Sequence, residues 1–410
     1  SLVSEIARLL LRLVGCNKSL FLRASSEKFV ETKDGGLRMN FFQTLFQYVT
    51  QTTWQQVVMW AIGAVLIYLA IKKDMEPALL LPMGFGAILV NLPFSGAITQ
   101  GLQEGPLSVL YDAGIANELF PLLLFIGIGA MIDFGPLLAN PKMMLFGAAA
   151  QFGIFATLSL ASLFFDMKDA ASIAIIGAAD GPTSIFVANF FHSNYTGAII
   201  VAAYSYMALV PIIQPPVIRL ITTKKERRIK MDYYSENVSQ RTKILFPIII
   251  TIVVGVFAPT SVALVGFLMF GNLLRECGVL RALSETAQNA LANLITLLLG
   301  LTVATTMQAD KFLTPQTLLI LGLGLFAFVF DTIGGVLLAK LMNLFSKKKV
   351  NPMIGAAGIS AFPMSARVVH KMGLQEDPSN FLLMHAAGAN VSGQIASVIA
   401  GGLIMSLVRV

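Results

Sequence analysis

The chain has 410 residues, of which 56% are hydrophobic and only 12% charged, with a mean hydropathy of +0.76. A soluble domain carries about 25% charged residues, so this composition excludes a soluble enzyme and requires a polytopic protein embedded in a bilayer. The formal net charge of +7 is the excess expected of cytoplasmic loops, and no basic stripe interleaved with aromatics points to nucleic acid. Cys16 and Cys277 imply no disulfide framework. His192, His370 and His385 lack metal spacing and read as polar residues at helix ends or between helices.

Residues 1–38 differ from the rest. Ile6, Leu9, Leu10 and Leu13 recur at helical spacing with Arg8 and Arg12 on another face, predicting a short interfacial helix followed by a polar linker. The segment reads as an extension upstream of Met39. A Phe-rich amphipathic stretch covers about 41–53. Apolar spans are expected near 56–71, 77–92, 117–132, 143–165 and 196–220, then a basic loop within 221–243 carrying Lys224, Lys225, Arg227, Arg228 and Lys230. Further spans are expected near 244–258, 260–274, 291–308, 315–342 and 380–408. Segments 171–190 and 350–368 are apolar but broken by Gly and Pro, which predicts re-entrant or discontinuous elements.

The halves 39–220 and 244–410 echo each other. Gly84-Phe85 with Asn91-Leu92 matches Gly266-Phe267 with Asn272-Leu273, Ala116-Asn117 matches Ala292-Asn293, and Gly177–Asp180 matches Gly355–Gly358. The expected fold is therefore all-α: an inverted repeat of about five spans plus one broken hairpin per half, with the site where the broken elements meet. Lys72-Lys73, Lys142, the 219–243 loop, Arg275, Arg281 and Lys347–Lys349 fall on one side of this topology, and Glu104, Asp112, Glu118 and Asp166 on the other. The basic side is cytoplasmic by the positive-inside rule.

Asp180 stands in Gly177-Ala178-Ala179-Asp180-Gly181-Pro182, flanked by apolar chain. A carboxylate at membrane depth needs a proton, a cation or a basic partner, and helix breaks free carbonyl oxygens for a hard cation. Asn351, Ser360 and Asn390 supply further oxygen ligands from the second half, Asn390 within a Gly388–Gly393 interruption of the last span. Arg367 follows Ser360 by seven residues, about two turns if both are helical, and its guanidinium suits a substrate carboxylate. Tyr204 and Tyr206 are donor–acceptors near the first hairpin. Asp133 and Asp331 are further acids at or in the membrane. Composition and topology alone leave a stand-alone sodium-coupled carboxylate transporter or sodium/proton antiporter open.

From about Phe41 to Val410 the chain resembles the beta subunit of sodium-pumping biotin-dependent decarboxylases, the family serving oxaloacetate, methylmalonyl-CoA and glutaconyl-CoA decarboxylase complexes. The resemblance is most specific in Gly177–Phe186, Tyr204–Pro216, Asn351–Arg367 and Asp377–Gly393. It implies sodium-linked Asp180, a functional Tyr206, asparagines at Asn351 and Asn390, and Gly355, Ser360 and Arg367. Tyr206, Arg367 and Ser360 would act in catalysis, Arg367 and Gly355 toward carboxybiotin, and Asp180, Asn351, Asn390 and Ser360 on sodium. Ala178 departs from the pattern, where many relatives carry Gly. The resemblance implies a membrane subunit of the inner (plasma) membrane that decarboxylates carboxybiotin, drives sodium outward and consumes a proton. It also implies an elevator-transporter-like core, homotrimers, a gamma subunit, and an alpha carboxyltransferase with a biotin carrier. Lys142-Met143, Lys230-Met231 and Lys371-Met372 lack a preceding Ala-Met, so biotin would arrive on another chain.

Overall fold

The computed structural model describes residues 51–73, 76–101, 103–231 and 238–408. The expected interfacial helix in 1–38 and most of the 41–53 stretch lie outside the described residues. Among those described, the protein is helical, with a single β-bridge between Gln100 and Gln103. Six helices are long and apolar enough to cross a membrane, or up to eight when each of two sharply bent pairs counts as one span.

The first half opens with α1 (Trp54–Lys73) and α2 (Pro77–Val90). Next come α3 (Pro106–Tyr111), a π-helical turn Asp112–Ala116, and α4 (Leu119–Met131), with a 62° bend across the break. The following span is interrupted at Gln151 into α5 (Met144–Ala150) and α6 (Phe152–Ala161). Hairpin 1 consists of α7 (Met167–Ala174), a 3₁₀ turn Ile175–Ala178 and α8 (Gly181–Phe190). The half ends with α9 (Thr196–Ile221), bent by 68° between Met207 and Leu209. Pro211 follows the bend and cannot donate to the carbonyl one turn back, which kinks a helix at this point.

The second half runs through α10 (Gln240–Phe257), α11 (Val262–Glu276) and α12 (Arg281–Thr286). A second π turn, Ala287–Leu291, leads into α13 (Ala292–Val303), and α14 (Pro315–Phe345) follows. Hairpin 2 is α15 (Met353–Ala356), an irregular tip, and α16 (Met364–Glu376); α17 (Leu383–Leu407) closes the chain.

The helices of the two halves exchange partners. The end of α2 meets the end of α13: the Asn91 amide donates to Met307 O at 2.8 Å, and its oxygen accepts from the Ala309 amide at 2.8 Å. The end of α11 meets the end of α4, where the Asn272 amide donates to Ile132 O at 2.9 Å. These contacts satisfy carbonyls and amides that helix ends leave open, which an apolar surrounding would make costly. A Cβ built on Gly271 would lie 2.0 Å from Ile126 O, so glycine lets these backbones touch.

Two expectations change. The last span is not interrupted: α17 runs unbroken through Gly388–Gly393. Its glycines serve close packing instead, a Cβ on Gly393 falling 2.2 Å from Gly358 O of hairpin 2. Nor do Ser360 and Arg367 share a helix. Residues 357–363 are non-helical, so Ser360 sits in the hairpin tip and Arg367 on α16.

Candidate functional site

Asp180 is the N-cap of α8, and its side chain turns back onto the helix it starts. Oδ2 accepts from Thr183 Oγ1 at 2.7 Å, while the Thr183 amide lies 3.5 Å from Oδ1. Ala179 precedes it in the left-handed region at φ 51°, a strained conformation for a residue with a Cβ. That turn reverses the chain and aims the carboxylate at α17. Asp180 is 3% exposed.

Across from it, α17 presents Asn390, Gln394 and Ser397 on one face, at i, i+4 and i+7. Ser397 Oγ donates to Asp180 Oδ2 at 3.1 Å. Gln394 Nε2 donates to Ser360 O, and Asn390 Nδ2 donates to Ile359 O at 2.6 Å. Ser360 in turn donates from Oγ to Ala178 O at 2.8 Å, and its amide reaches the same carbonyl at 3.3 Å. The tips of both hairpins are thus laced to each other and to α17 around one buried cluster.

The distribution of unpaired atoms in that cluster is informative. Asn390 Oδ1 and Gln394 Oε1 are buried with no hydrogen-bond partner, and Asp180 Oδ1 has only the long contact to Thr183 N. An orphaned buried acceptor costs about 1–3 kcal/mol. Two amide oxygens and a carboxylate, all oxygen and all short of donors, form the ligand chemistry of a hard cation. Among the described residues no group of three or more His, Cys, Asp or Glu could hold a metal ion.

The remaining sequence-identified residues lie elsewhere. Asn351 is fully buried, but its amide donates to Arg227 O at 2.8 Å and Ile229 O at 2.9 Å, and its oxygen accepts from the Met353 amide. It fastens a strap, residues 222–231, across the base of hairpin 2. Arg227 pairs with Glu376 at 2.7 Å, Lys230 with Asp377 at 3.3 Å, and Glu226 with Lys340 of α14 at 3.1 Å. Gly355 faces Gly335 of α14 backbone to backbone, a Cβ there falling 2.0 Å from Gly335 O. Gln214 on α9 holds the neighbouring turn through Ala356 O at 2.7 Å and Ser365 Oγ at 2.9 Å.

Tyr204 and Tyr206 diverge because two residues of helix rotate by about 200°. Tyr206 faces α14 and donates its hydroxyl to Leu321 O at 2.5 Å. Tyr204 faces hairpin 1: a Cβ on Gly181 would lie 2.1 Å from its ring, and its hydroxyl is buried without a partner. Arg367 is exposed on α16. Glu76, in the turn before α2, lies in its field; burial raises the Glu76 carboxyl above its ordinary range and the guanidinium opposes that rise. Asp133 follows the end of α4 and lies 3.5 Å from Lys243.

Sequence reasoning missed Gln394, Ser397 and Glu76. The helical spacing of Asn390, Gln394 and Ser397 was the one available signal for the first two.

Residues 55–408 match the family described as the Na+-transporting oxaloacetate decarboxylase beta subunit. The methylmalonyl-CoA decarboxylase subunit beta of Propionigenium modestum is 51% identical over 373 residues, covering 86% of this chain and 94% of the relative. The glutaconyl-CoA decarboxylase subunit beta of Acidaminococcus fermentans is 51% identical over 358 residues, covering 87% and 94%. The oxaloacetate decarboxylase beta chain of Klebsiella pneumoniae is 45% identical over 412 residues, covering 86% and 95%. Since the family match spans residues 55–408, a range that includes both hairpins and α17, the chain belongs to the family of Na+-transporting oxaloacetate decarboxylase beta subunits.

Proposed function

We propose that this chain is the membrane subunit of a biotin-dependent decarboxylase, cleaving carboxybiotin and exporting sodium in the same cycle. The observation that carries the reading is the buried oxygen cluster of Asp180, Asn390 and Gln394, joined to Ser360 and Ser397 at the meeting of the two hairpins. Sodium is the cargo of that cluster. Its charge neutralises Asp180 and uses the amide oxygens that otherwise lack partners.

In carboxybiotin cleavage the bond between the ureido nitrogen and the carboxylate carbon breaks, CO2 leaves, and the nitrogen takes a proton. Arg367, exposed on α16, meets the carboxylate of the incoming group. Tyr206 relays a proton, its hydroxyl free to move from Leu321 O to a better acceptor. Ser360, held by Ala178 O, couples the two hairpins, so sodium at Asp180 is felt where carboxybiotin binds. Gly355 serves by letting hairpin 2 close onto α14. Asn351 acts on sodium from a distance in this arrangement, by fixing the strap and so the base of hairpin 2.

The exchange of partners between α2 and α13 and between α4 and α11, with a π turn ahead of α4 and of α13, supports an inverted repeat. The hairpins with α17 form the core that would move, elevator-fashion, against this frame. Carboxybiotin comes on a carrier belonging to an alpha carboxyltransferase, and a gamma subunit and a homotrimer of beta chains complete the assembly. The names of the relatives favour this reading over a stand-alone carboxylate transporter or antiporter.

The test uses the purified complex with free carboxybiotin. Sodium-dependent cleavage is expected, and Asp180→Ala should abolish the sodium dependence. Absence of sodium-dependent cleavage in the wild type, with carboxylate transport by this chain alone, would overturn the proposal.

A further inference from the structure

The membrane interior holds a second fully buried carboxyl group that the mechanism above does not use. Asp331, on α14, is 1% exposed. Its Oδ1 accepts from the Ile154 amide at 3.2 Å, at the interruption between α5 and α6. Its Oδ2 has no partner and lies against the back of hairpin 1, where a Cβ on Gly177 would fall 2.6 Å away. Glycine is needed on the other side as well, since a Cβ on Gly153 would fall 2.6 Å from Oδ1. The carboxyl group is therefore wedged between the broken span and the hairpin that carries Asp180, three residues beyond Gly177.

Among the described residues, no charged group neutralises it. No charged side chain of α5, α6, α7, α9, α15 or hairpin 1 acts on it. Asp180 is turned to Thr183 and Ser397, Asp169 of α7 accepts from Ser193, and the Tyr206 hydroxyl is held by Leu321 O. Lys340 lies about 13 Å further along α14 and is taken by Glu226. A carboxylate with no cationic partner and one oxygen without a hydrogen-bond donor is costly at this depth, and a proton on Oδ2 removes that cost. Capping the Ile154 amide needs only an uncharged acceptor, which Asn or Ser would supply.

We propose that Asp331 is a second proton-binding group of the pump, on the helix against which hairpin 1 seats. It holds a proton on Oδ2 while hairpin 1 is seated as seen here, and loses that proton to water when the hairpin moves off. The carboxyl group becomes a carboxylate, and the proton returns as the hairpin reseats. This rests on the pump reading above, in which hairpin 1 moves.

The test compares the wild-type complex with Asp331→Asn and Asp180→Asn, by infrared spectroscopy at neutral pH and by sodium uptake into proteoliposomes. In the wild type a protonated-carboxyl carbonyl band should be present; it should persist in D180N and vanish in D331N. D331N should also lose at least fivefold in sodium taken up per carboxybiotin cleaved. A band unchanged in D331N overturns the proposal, and so does a lost band with wild-type uptake, which would leave Asp331 a cap alone. Should D331N not accumulate, Asp331→Ser keeps an oxygen for Ile154 without an amino group against Gly177 and is read in the same way. If the wild-type complex itself shows no sodium-dependent cleavage, the pump reading has failed, whatever the infrared band does.

Discussion

Gln394→Met separates a ligand from a packing residue. Met has similar length and can refill the space of the buried glutamine. In the sodium-free protein two effects oppose each other. The bond from Nε2 to Ser360 O is lost at a cost of about 0.5–1.5 kcal/mol, because that carbonyl keeps the Phe362 amide at 2.6 Å. The orphaned Oε1 disappears as well, recovering about 1–3 kcal/mol. The amount of folded complex should therefore change little.

The sodium-bound protein has no such offset. A neutral oxygen on a cation is comparable to a hydrogen bond to a charged group, about 1.5–3 kcal/mol, and each 1.4 kcal/mol is about tenfold in affinity. The sodium concentration for half-maximal carboxybiotin cleavage should rise by about 10–150-fold, with the maximal rate at saturating sodium less affected. Choline replaces sodium in the titration so that ionic strength stays fixed. Half-saturation within twofold of wild type would refute the assignment of Gln394 to the cation.

Arg367→Lys should lower carboxybiotin turnover by about 30-fold, roughly 2 kcal/mol for the loss of a bidentate, charge-assisted pair; wild-type rates would leave Arg367 as a surface cation beside Glu76. Tyr206→Phe and Tyr204→Phe form a pair read by the pH dependence of cleavage. The proton relay predicts a defect in the first, whereas a defect confined to Tyr204→Phe would move the role to the phenol packed on Gly181. Asn351→Ala should loosen the strap, seen as faster proteolysis within 222–231, and raise half-saturating sodium while keeping the sodium dependence that Asp180→Ala abolishes. Unaltered proteolysis would return Asn351 to the cation. Asp377 is held down to about 2 by the Ser379 hydroxyl and amide and then by Lys230. Because an acid with a lowered folded-state value contributes its full stabilisation above its unfolded value of 3.8 and loses it progressively down to the folded one, pepsin cleavage of the strap should rise as pH falls from about 4 to about 2 and level off below.

Asp180 was legible because its neighbours are incompatible with a simple span: a charge in apolar chain, followed at once by Gly181-Pro182. Ser360 and Asn390 were legible as polar residues among small ones, although for Asn390 the physical reason differs from the expected break. The glycines around it allow α17 to pack on hairpin 2 without interrupting the helix. Gln394 and Ser397 were legible only through their helical spacing from Asn390, since a continuous apolar helix carries no other local mark of which face meets a carboxylate. Asn351 shows the converse limit. An asparagine at the mouth of a hairpin can serve either end of it, and only the strap, contributed by the loop between the halves, decides that its amide is spent on Arg227 O and Ile229 O.

The internal echo was weak when read letter by letter, and two of its matches acquire chemical content from their contacts. Asn91 and Asn272 stand at or near the end of the second helix of their half, and each donates to a carbonyl just beyond the fourth helix of the other half. Two asparagines in matching roles with exchanged partners support the proposed inverted repeat. The matches at the hairpins diverge instead: where the first half has Asp180, the second has Gly358, packed on Phe146 O at a virtual Cβ distance of 2.3 Å. One half thus contributes the charge and the other the close approach, which is why the cluster needs both hairpins and why a carboxylate was found in only one of them.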